Sequence, residues 1–156
     1  YRYTRKEFDQ AAGFYAQLAR KYPDSEWADL AAFRRADCWR LHARGTGYDI
    51  TPLLKATINY RRYLSERKYG EHRAEVQEKA REVDEMLAQS ELLKAELYVA
   101  REEEQGARIH YANVALAYPT TQAAEPARRE LPANGWDLSQ NSVGTLTLPP
   151  STELDE

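Results

Sequence analysis

The sequence predicts an all-α chain in which helix pairs stack into a solenoid of about three repeats, followed by an irregular C-terminal tail. Apolar residues recur every three or four positions through most of the chain. Glycine and proline are few and separate these helical stretches. One pattern of small, aromatic and apolar side chains also occurs three times. We therefore expect a helical domain over residues 1–131 and an extended or disordered tail over residues 132–156.

The first two helices are expected to meet at a Tyr-Pro turn. Apolar residues keep helical spacing from Thr4 to Tyr22, and Pro23 then disfavours the helical conformation at Tyr22. The Asp-Ser pair that follows the proline supplies a residue able to cap the next helix. The expected helices cover residues 4–22 and about 25–43.

Glycine and proline also delimit the next two helices. Gly45 and Gly47 close the second helix, and Pro52 suits the first turn of a third. The charged run from Glu71 to Glu104 contains neither residue type, so we expect one long helix or two nearly collinear ones. These helices cover residues about 52–68 and 71–104.

The apolar stripe of the long helix changes position along its length. Near Gln89 it shifts to Leu93, Leu97 and Ala100. A shift of this kind indicates either a bend in the helix or a change from one packing neighbour to the next.

Two shorter helices are expected after the long one. Gly106 is expected to end the long segment, and a fifth helix covers residues about 107–118. A sixth helix starts after Thr120 or Thr121. Because Pro126 would lie inside it and remove a hydrogen bond, we expect this last helix to be short or kinked.

One side-chain pattern recurs in three of the expected helices. An aromatic residue follows a small residue by four positions, an apolar or aromatic residue comes three positions later, and in two helices a proline ends the series. The small residue lets a neighbouring helix approach, the ring fills the resulting groove, and the proline turns the chain back. The predicted packing positions are Ala11, Tyr15, Leu18 and Pro23; Ala56, Tyr60 and Tyr63; and Ala107, Tyr111, Val114 and Pro119.

This pattern resembles the second helix of the tetratricopeptide repeat, whose units stack into a right-handed solenoid. Over residues of about 5–131 the chain also resembles the BamD-like lipoproteins of the outer-membrane β-barrel assembly machinery. That resemblance rests on the stretches EFDQAAGFYAQLARKYPDSEWADLAAFRRADCWRL, DITPLLKATINYRRYL and EVQEKAREVDEMLAQSELLKAELYVAREEEQGARIHYANVALAYPTTQAAEPARREL. In this register the first helix is the second member of a pair, so we expect its partner helix to precede Tyr1.

The resemblance implies a non-enzymatic scaffold at the periplasmic face of the outer membrane. Such a scaffold docks on the periplasmic domains of a barrel-forming outer-membrane protein and receives extended segments of unfolded barrel proteins. Membrane association would come only through a lipid anchor upstream of this chain or through the partner. The same fold would also suit a Tol-Pal-type periplasmic scaffold or a cytoplasmic tetratricopeptide adaptor.

Two groups of residues are candidates for partner binding. Tryptophan and arginine are enriched at the energetic centres of protein interfaces, and both types cluster on the second helix. The alternative is that the tryptophan of this helix belongs to the core and its arginines are merely solvated. In the tail, a tryptophan and a leucine can anchor an otherwise unstructured segment. The candidates are Arg34, Arg35, Trp39 and Arg40 on the helix, and Trp136 and Leu138 in the tail.

The sequence contains no motif that indicates catalysis. The three histidines are 30 and 38 residues apart, without the paired spacing of zinc ligands. Glycine-rich phosphate loops and the nucleophile elbow of hydrolases are also missing from the sequence. We therefore expect no enzymatic activity, no cofactor and no metal.

The charge of the chain is unevenly distributed. Residues 1–70 carry 14 Lys and Arg against 8 Asp and Glu, whereas residues 71–156 carry 8 against 17. This polarity can orient a protein partner during encounter.

Basic residues alternate with tyrosines over residues 55–73, as in proteins that bind single-stranded nucleic acid. Because two of these tyrosines occupy packing positions and the pI is about 5.7, we expect no nucleic-acid partner.

Overall fold

A computed structural model describes residues 5–136, apart from the side chains of Arg5, Lys6 and Glu26. The described part contains six α-helices and no strand, which confirms the all-α class. Nearly all of the predicted tail lies outside it. The helices are α1 (Arg5–Lys21), α2 (Glu26–His42), α3 (Thr51–Glu66), α4 (Arg73–Ala100), α5 (Glu104–Ala117) and α6 (Ala124–Ala133). None of these helices is both long enough and apolar enough to cross a membrane.

The described residues form two compact units, which divide between Val83 and Asp84. In the first unit α1 packs against α2, and α2 packs against α3. In the second unit α5 packs against α6. Helix α4 belongs to the first unit up to Val83 and to the second unit from Asp84. Within each unit, helices that are consecutive in sequence are therefore neighbours in space.

The recurrent packing positions differ in burial among the three helices that carry them. In α3 and α5 the small, aromatic and apolar members are all buried, whereas in α1 they are half-buried and the neighbouring alanines Ala12 and Ala16 are buried instead. Both prolines of the pattern are exposed and lie in the turns that follow their helices. The buried members are Ala56, Tyr60 and Tyr63 in α3, and Ala107, Tyr111 and Val114 in α5; the half-buried members are Ala11, Tyr15 and Leu18, and the exposed prolines are Pro23 and Pro119.

A buried carboxylate joins three helices of the first unit. Asp37 of α2 accepts hydrogen bonds from Arg40 Nε at 3.0 Å and from the hydroxyl of Tyr60, on α3, at 3.2 Å. Lys79 Nζ, on α4, lies 3.8 Å from the same carboxylate oxygen. Burial of the Tyr60 hydroxyl, together with the charge of Asp37, raises the pKa of Tyr60 well above its usual value. Tyr60 therefore stays neutral and donates a hydrogen bond to Asp37.

The second unit has a comparable buried acid, Glu91 of α4, which is 2% exposed. Its carboxylate lies 2.8 Å from Nδ1 of His110, on α5, and 2.5 Å from Nζ of Lys94. Desolvation favours the neutral acid, but the hydrogen bonds and positive charges of these two partners outweigh it and lower the pKa of Glu91 to about 2. The His110 ring also stacks on Tyr98, with ring centres 5.2 Å apart.

An acidic side chain of α4 caps the last helix from a distance. Glu85 accepts hydrogen bonds from the backbone N–H groups of Gln122, at 2.7 Å, and Ala123, at 3.1 Å. Ala123 occupies the N-cap position of α6, so Glu85 satisfies the N–H groups of the N-cap residue and of the residue before it. The acceptor lies 37 positions before Gln122 and 38 before Ala123.

The prediction that Gly106 ends the long helix is wrong. Helix α4 ends at Ala100, and the chain turns through Glu102, which has a positive φ of 60°. Gly106 is the third residue of α5, where the ring of Tyr98 lies so close that a Cβ atom would overlap it. Glycine is required here for the close approach of a ring and does not terminate a helix.

Two further expectations concern the apolar stripe of α4 and the last helix. Leu93, Leu97 and Ala100 are exposed, so the shifted apolar stripe of α4 does not pack on a new neighbour within the described residues. Pro126 is the third residue of α6, where its missing N–H removes no hydrogen bond of the helix, contrary to the prediction. The helix is nevertheless short, at 10 residues, and extends through Pro132 to Ala133.

Replacing Gly106 by alanine tests the close approach of Tyr98. The added Cβ would displace the ring, so we expect Gly106→Ala to lower the free energy of unfolding by about 1–3 kcal/mol. Gly13→Ala is the matched control, since Gly13 is an exposed residue inside α1 with nothing within 4 Å of an added Cβ. That variant should gain about 0.5–1 kcal/mol. Urea unfolding followed by circular dichroism measures both, and equal effects would contradict the role given to Gly106.

The pKa of Glu91 predicts a specific loss of stability in acid. The pKa is lowered in the folded state from its usual 4.5 to about 2, so the stabilisation is complete above pH 4.5 and is lost as the pH falls towards 2. The shift corresponds to about 3 kcal/mol. The difference in unfolding free energy between the wild-type chain and Glu91→Gln should therefore shrink by about this amount between pH 5 and pH 2. A difference that stays constant over this range would show that Glu91 is not held as a carboxylate.

Candidate functional site

An open groove in the first unit lies between the start of α2 and the turn that joins α3 to α4. Its volume of about 640 Å³ is in the range typical of ligand-binding sites. Trp27 and Asp29 of α2 line one side, and Arg67, Tyr69 and His72 of the turn line the other. We call this feature the turn groove. It is the strongest candidate for a binding site among the described residues.

A buried tyrosine holds Asp29, one of the residues that line the turn groove, in place. The hydroxyl of Tyr63 donates to the carboxylate of Asp29, lying 2.8 and 2.9 Å from its two oxygens. Burial, and then the hydrogen bond to Asp29, raise the pKa of Tyr63 to about 12. Arg67 Nη1 lies 3.9 Å from the same carboxylate. Gly70 passes so close that a Cβ atom would overlap both Tyr63 and Asp29, which explains the glycine at this turn.

The turn behind the groove is held at two further points. Arg73 donates a hydrogen bond from Nη1 to the carbonyl oxygen of Leu64 at 2.7 Å and so ties the start of α4 to the end of α3. The ring of His72 stacks on the buried ring of Phe33, with centres 5.1 Å apart. Contacts with the end of α3 and with the buried ring of Phe33 therefore hold this wall of the turn groove in place without a ligand.

The rim of the turn groove is aromatic and carries both signs of charge. Trp27 is 59% exposed and Tyr69 is 98% exposed, although both are large apolar side chains. The charged residues around them are of both signs: Arg67 and Lys68 are basic, and Glu66 and Glu71 are acidic. Such a surface suits a protein segment that offers apolar side chains and polar backbone groups. It lacks the uniform positive charge that would attract a phosphate backbone.

The residues predicted on α2 do not line the turn groove. Trp27 and Trp39 are twelve residues apart on α2, which corresponds to about 18 Å of helix. Arg40 is engaged with Asp37, and Arg34 Nη1 lies 3.7 Å from the same carboxylate. Half-buried Trp39 has Lys55 Nζ 4.3 Å from its ring centre.

Arg35, the remaining member of the predicted α2 set, is half-buried and has interactions within the protein. Much of this arginine and tryptophan cluster therefore serves internal contacts of the first unit.

The two residues predicted in the tail have different outcomes. Trp136 follows α6 and is held in the second unit: its indole N–H donates to a carboxylate oxygen of Glu104 at 2.9 Å, and its ring centre lies 6.1 Å from that of Tyr111. Its backbone N–H also donates to the carbonyl oxygen of Leu131 at 2.8 Å. Leu138 lies outside the described residues.

Comparison with known proteins gives no family assignment. The chain matches no family model, no curated protein and no solved structure. The resemblance to the BamD-like lipoproteins therefore stays a prediction.

The residues of the turn groove were only partly visible in the sequence. The basic and tyrosine-rich stretch over residues 55–73 contains Arg67 and Tyr69, but its pattern gave no indication that they face Trp27. The signal that pointed to the turn itself is the sequence Tyr69-Gly70, where the pattern lacks the proline of the other two helices.

Substitutions in the turn groove should separate binding from stability. Trp27→Ala and Tyr69→Ala remove exposed side chains, so we expect the free energy of unfolding to change by less than about 0.5 kcal/mol. Tyr63→Phe instead removes the hydrogen bond to Asp29 and should cost about 1–2 kcal/mol. Urea denaturation of the three variants measures this contrast. If Trp27→Ala proved as destabilising as Tyr63→Phe, the exposed rim would have to be reassigned to the core.

Proposed function

We propose that this chain is a non-enzymatic protein-binding scaffold of the bacterial cell envelope that supports assembly of outer-membrane β-barrel proteins, as the BamD-like lipoproteins do. The observation that carries the binding role is the turn groove, where Trp27 and Tyr69 are exposed and the lining residue Asp29 is held by a hydrogen bond from Tyr63. The cellular role is carried by the sequence resemblance over residues of about 5–131.

The physical argument for protein binding is that the groove presents anchoring residues at a low cost of ordering. Tryptophan, tyrosine and arginine contribute most of the free energy at protein interfaces. In the turn groove the backbone beneath these side chains is already fixed by Tyr63, Asp29 and Arg73. A partner therefore does not have to order this loop on binding, which preserves more of the contact energy as affinity.

The ligand that fits this surface best is an extended segment of another protein. Apolar side chains of the segment can pack against Trp27 and Tyr69, while Arg67 and Lys68 are placed for its acidic groups. The resemblance adds two such ligands, namely the periplasmic domains of an outer-membrane barrel protein and unfolded barrel substrates.

The decisive measurement is the affinity of the 156-residue chain for purified periplasmic domains of an outer-membrane barrel-assembly protein and for unfolded barrel protein. We expect binding to both, and we expect Trp27→Ala and Tyr69→Ala each to weaken it at least about tenfold, or 1.4 kcal/mol. Tyr48→Ala is the matched control, because Tyr48 is also largely exposed but lies in the α2–α3 turn. Its affinity should equal that of the wild-type chain.

The outcomes distinguish the parts of this proposal. Binding that survives both groove substitutions would place the contact elsewhere on the scaffold. Lack of binding to either ligand would remove the barrel-assembly role and leave the Tol-Pal-type scaffold and the cytoplasmic adaptor as the alternatives. Recovery of Tol-Pal components from native envelopes, or of cytoplasmic proteins alone, would then decide between them.

A further inference from the structure

An exposed apolar row lies at the end of α4. Its residues are spaced by four and three positions, as the contact positions of a coiled coil are. Leu93 and Leu97 are 49% and 48% exposed, and Ala100 is exposed. The same spacing continues back to Ser90 and Met86, but Ser90 is buried and Met86 is half-buried, so neither belongs to the row. We call the set Leu93, Leu97 and Ala100 the α4 row.

Two exposed residues of opposite charge flank the α4 row. Glu96 precedes Leu97, and Arg101 follows Ala100 directly after the helix. In the heptad register set by the row, Glu96 takes the g position and Arg101 takes the e position that follows it. Neither side chain makes a hydrogen bond or an ion pair within the part of the chain described here.

We propose that the α4 row is the contact face for a second copy of this chain, with the two α4 segments side by side and parallel. In a parallel pair the g position of one helix faces the e position five residues later in the other. Glu96 of each copy then meets Arg101 of its neighbour, which gives two reciprocal ion pairs. An antiparallel pair would instead place Glu96 opposite Glu96, and like charges in contact oppose association.

The expected dimer is weak. The α4 row spans only about one heptad, and Leu93 and Leu97 are its only large exposed apolar side chains. An interface of this size falls below that of stable complexes. Association is therefore expected at high protein concentration, and its strength should depend on ionic strength because the ion pairs are exposed. This inference depends neither on the turn groove nor on a role in the envelope.

Analytical ultracentrifugation of the full chain over a range of concentrations tests the proposal. We expect a monomer–dimer equilibrium, and we expect the double variant Leu93→Ala, Leu97→Ala to raise the dissociation constant at least about tenfold. Leu116→Ala is the matched control, since Leu116 is an exposed leucine of α5 outside the row. It should leave the dissociation constant unchanged, and circular dichroism should show that all variants keep the helical fold.

Charge exchange tests the orientation. Glu96→Arg and Arg101→Glu should each weaken the dimer, because each places like charges together at both reciprocal contacts. The double variant Glu96→Arg, Arg101→Glu should recover the wild-type dissociation constant only if the helices are parallel. A chain that stays monomeric up to about 0.5 mM, or a dimer that the leucine substitutions leave unchanged, would overturn the proposal. Failure of the double variant to recover association would overturn the parallel arrangement.

Discussion

The packing of the first unit depends on neutralising one buried carboxylate. Asp37 lies on α2, and the groups that stabilise its charge come from Arg40 on the same helix, Tyr60 on α3 and Lys79 on α4. An unpaired buried charge costs several kcal/mol, so the three helices are stable together only in the arrangement that brings these groups to Asp37. Glu91 imposes the same condition on α4 and α5 of the second unit through His110. Apolar burial drives the helices together, and the carboxylates select how they meet.

Helix positions were largely predictable because their signals are local. Proline and glycine marked the ends of α1, α2 and α3, and the uninterrupted charged run gave the single long helix. The errors arose where a local pattern has two physical explanations. Gly106 can end a helix or admit a ring, and only the position of Tyr98 decides between them. The periodicity of Leu93 and Leu97 identifies a helical face, but it does not say whether anything covers that face.

The candidate site was less predictable, because its parts are distant in sequence. Trp27 and Tyr69 come from the beginning of one helix and from the turn after the next, and no spacing rule connects them. The cluster on α2 was identified from its residue types, and the sequence places Asp37 three positions from both Arg34 and Arg40. It does not show that Asp37 is buried and pairs with both of them. Arginine near a buried acid and arginine at an interface look the same in a sequence. Their difference appears only when the partners of each guanidinium are known.

The cap that Glu85 provides for α6 has a consequence for the order in which the second unit forms. The N–H groups of Gln122 and Ala123 have no acceptor until α4 is helical and correctly placed. A short helix that relies on such a distant acceptor is expected to be unstable alone and to dock after α4 and α5 have joined. The exchange of these two amide protons with solvent therefore reports whether α6 is docked in the second unit. Their protection would be lost whenever α6 detaches, even if every other helix stays folded.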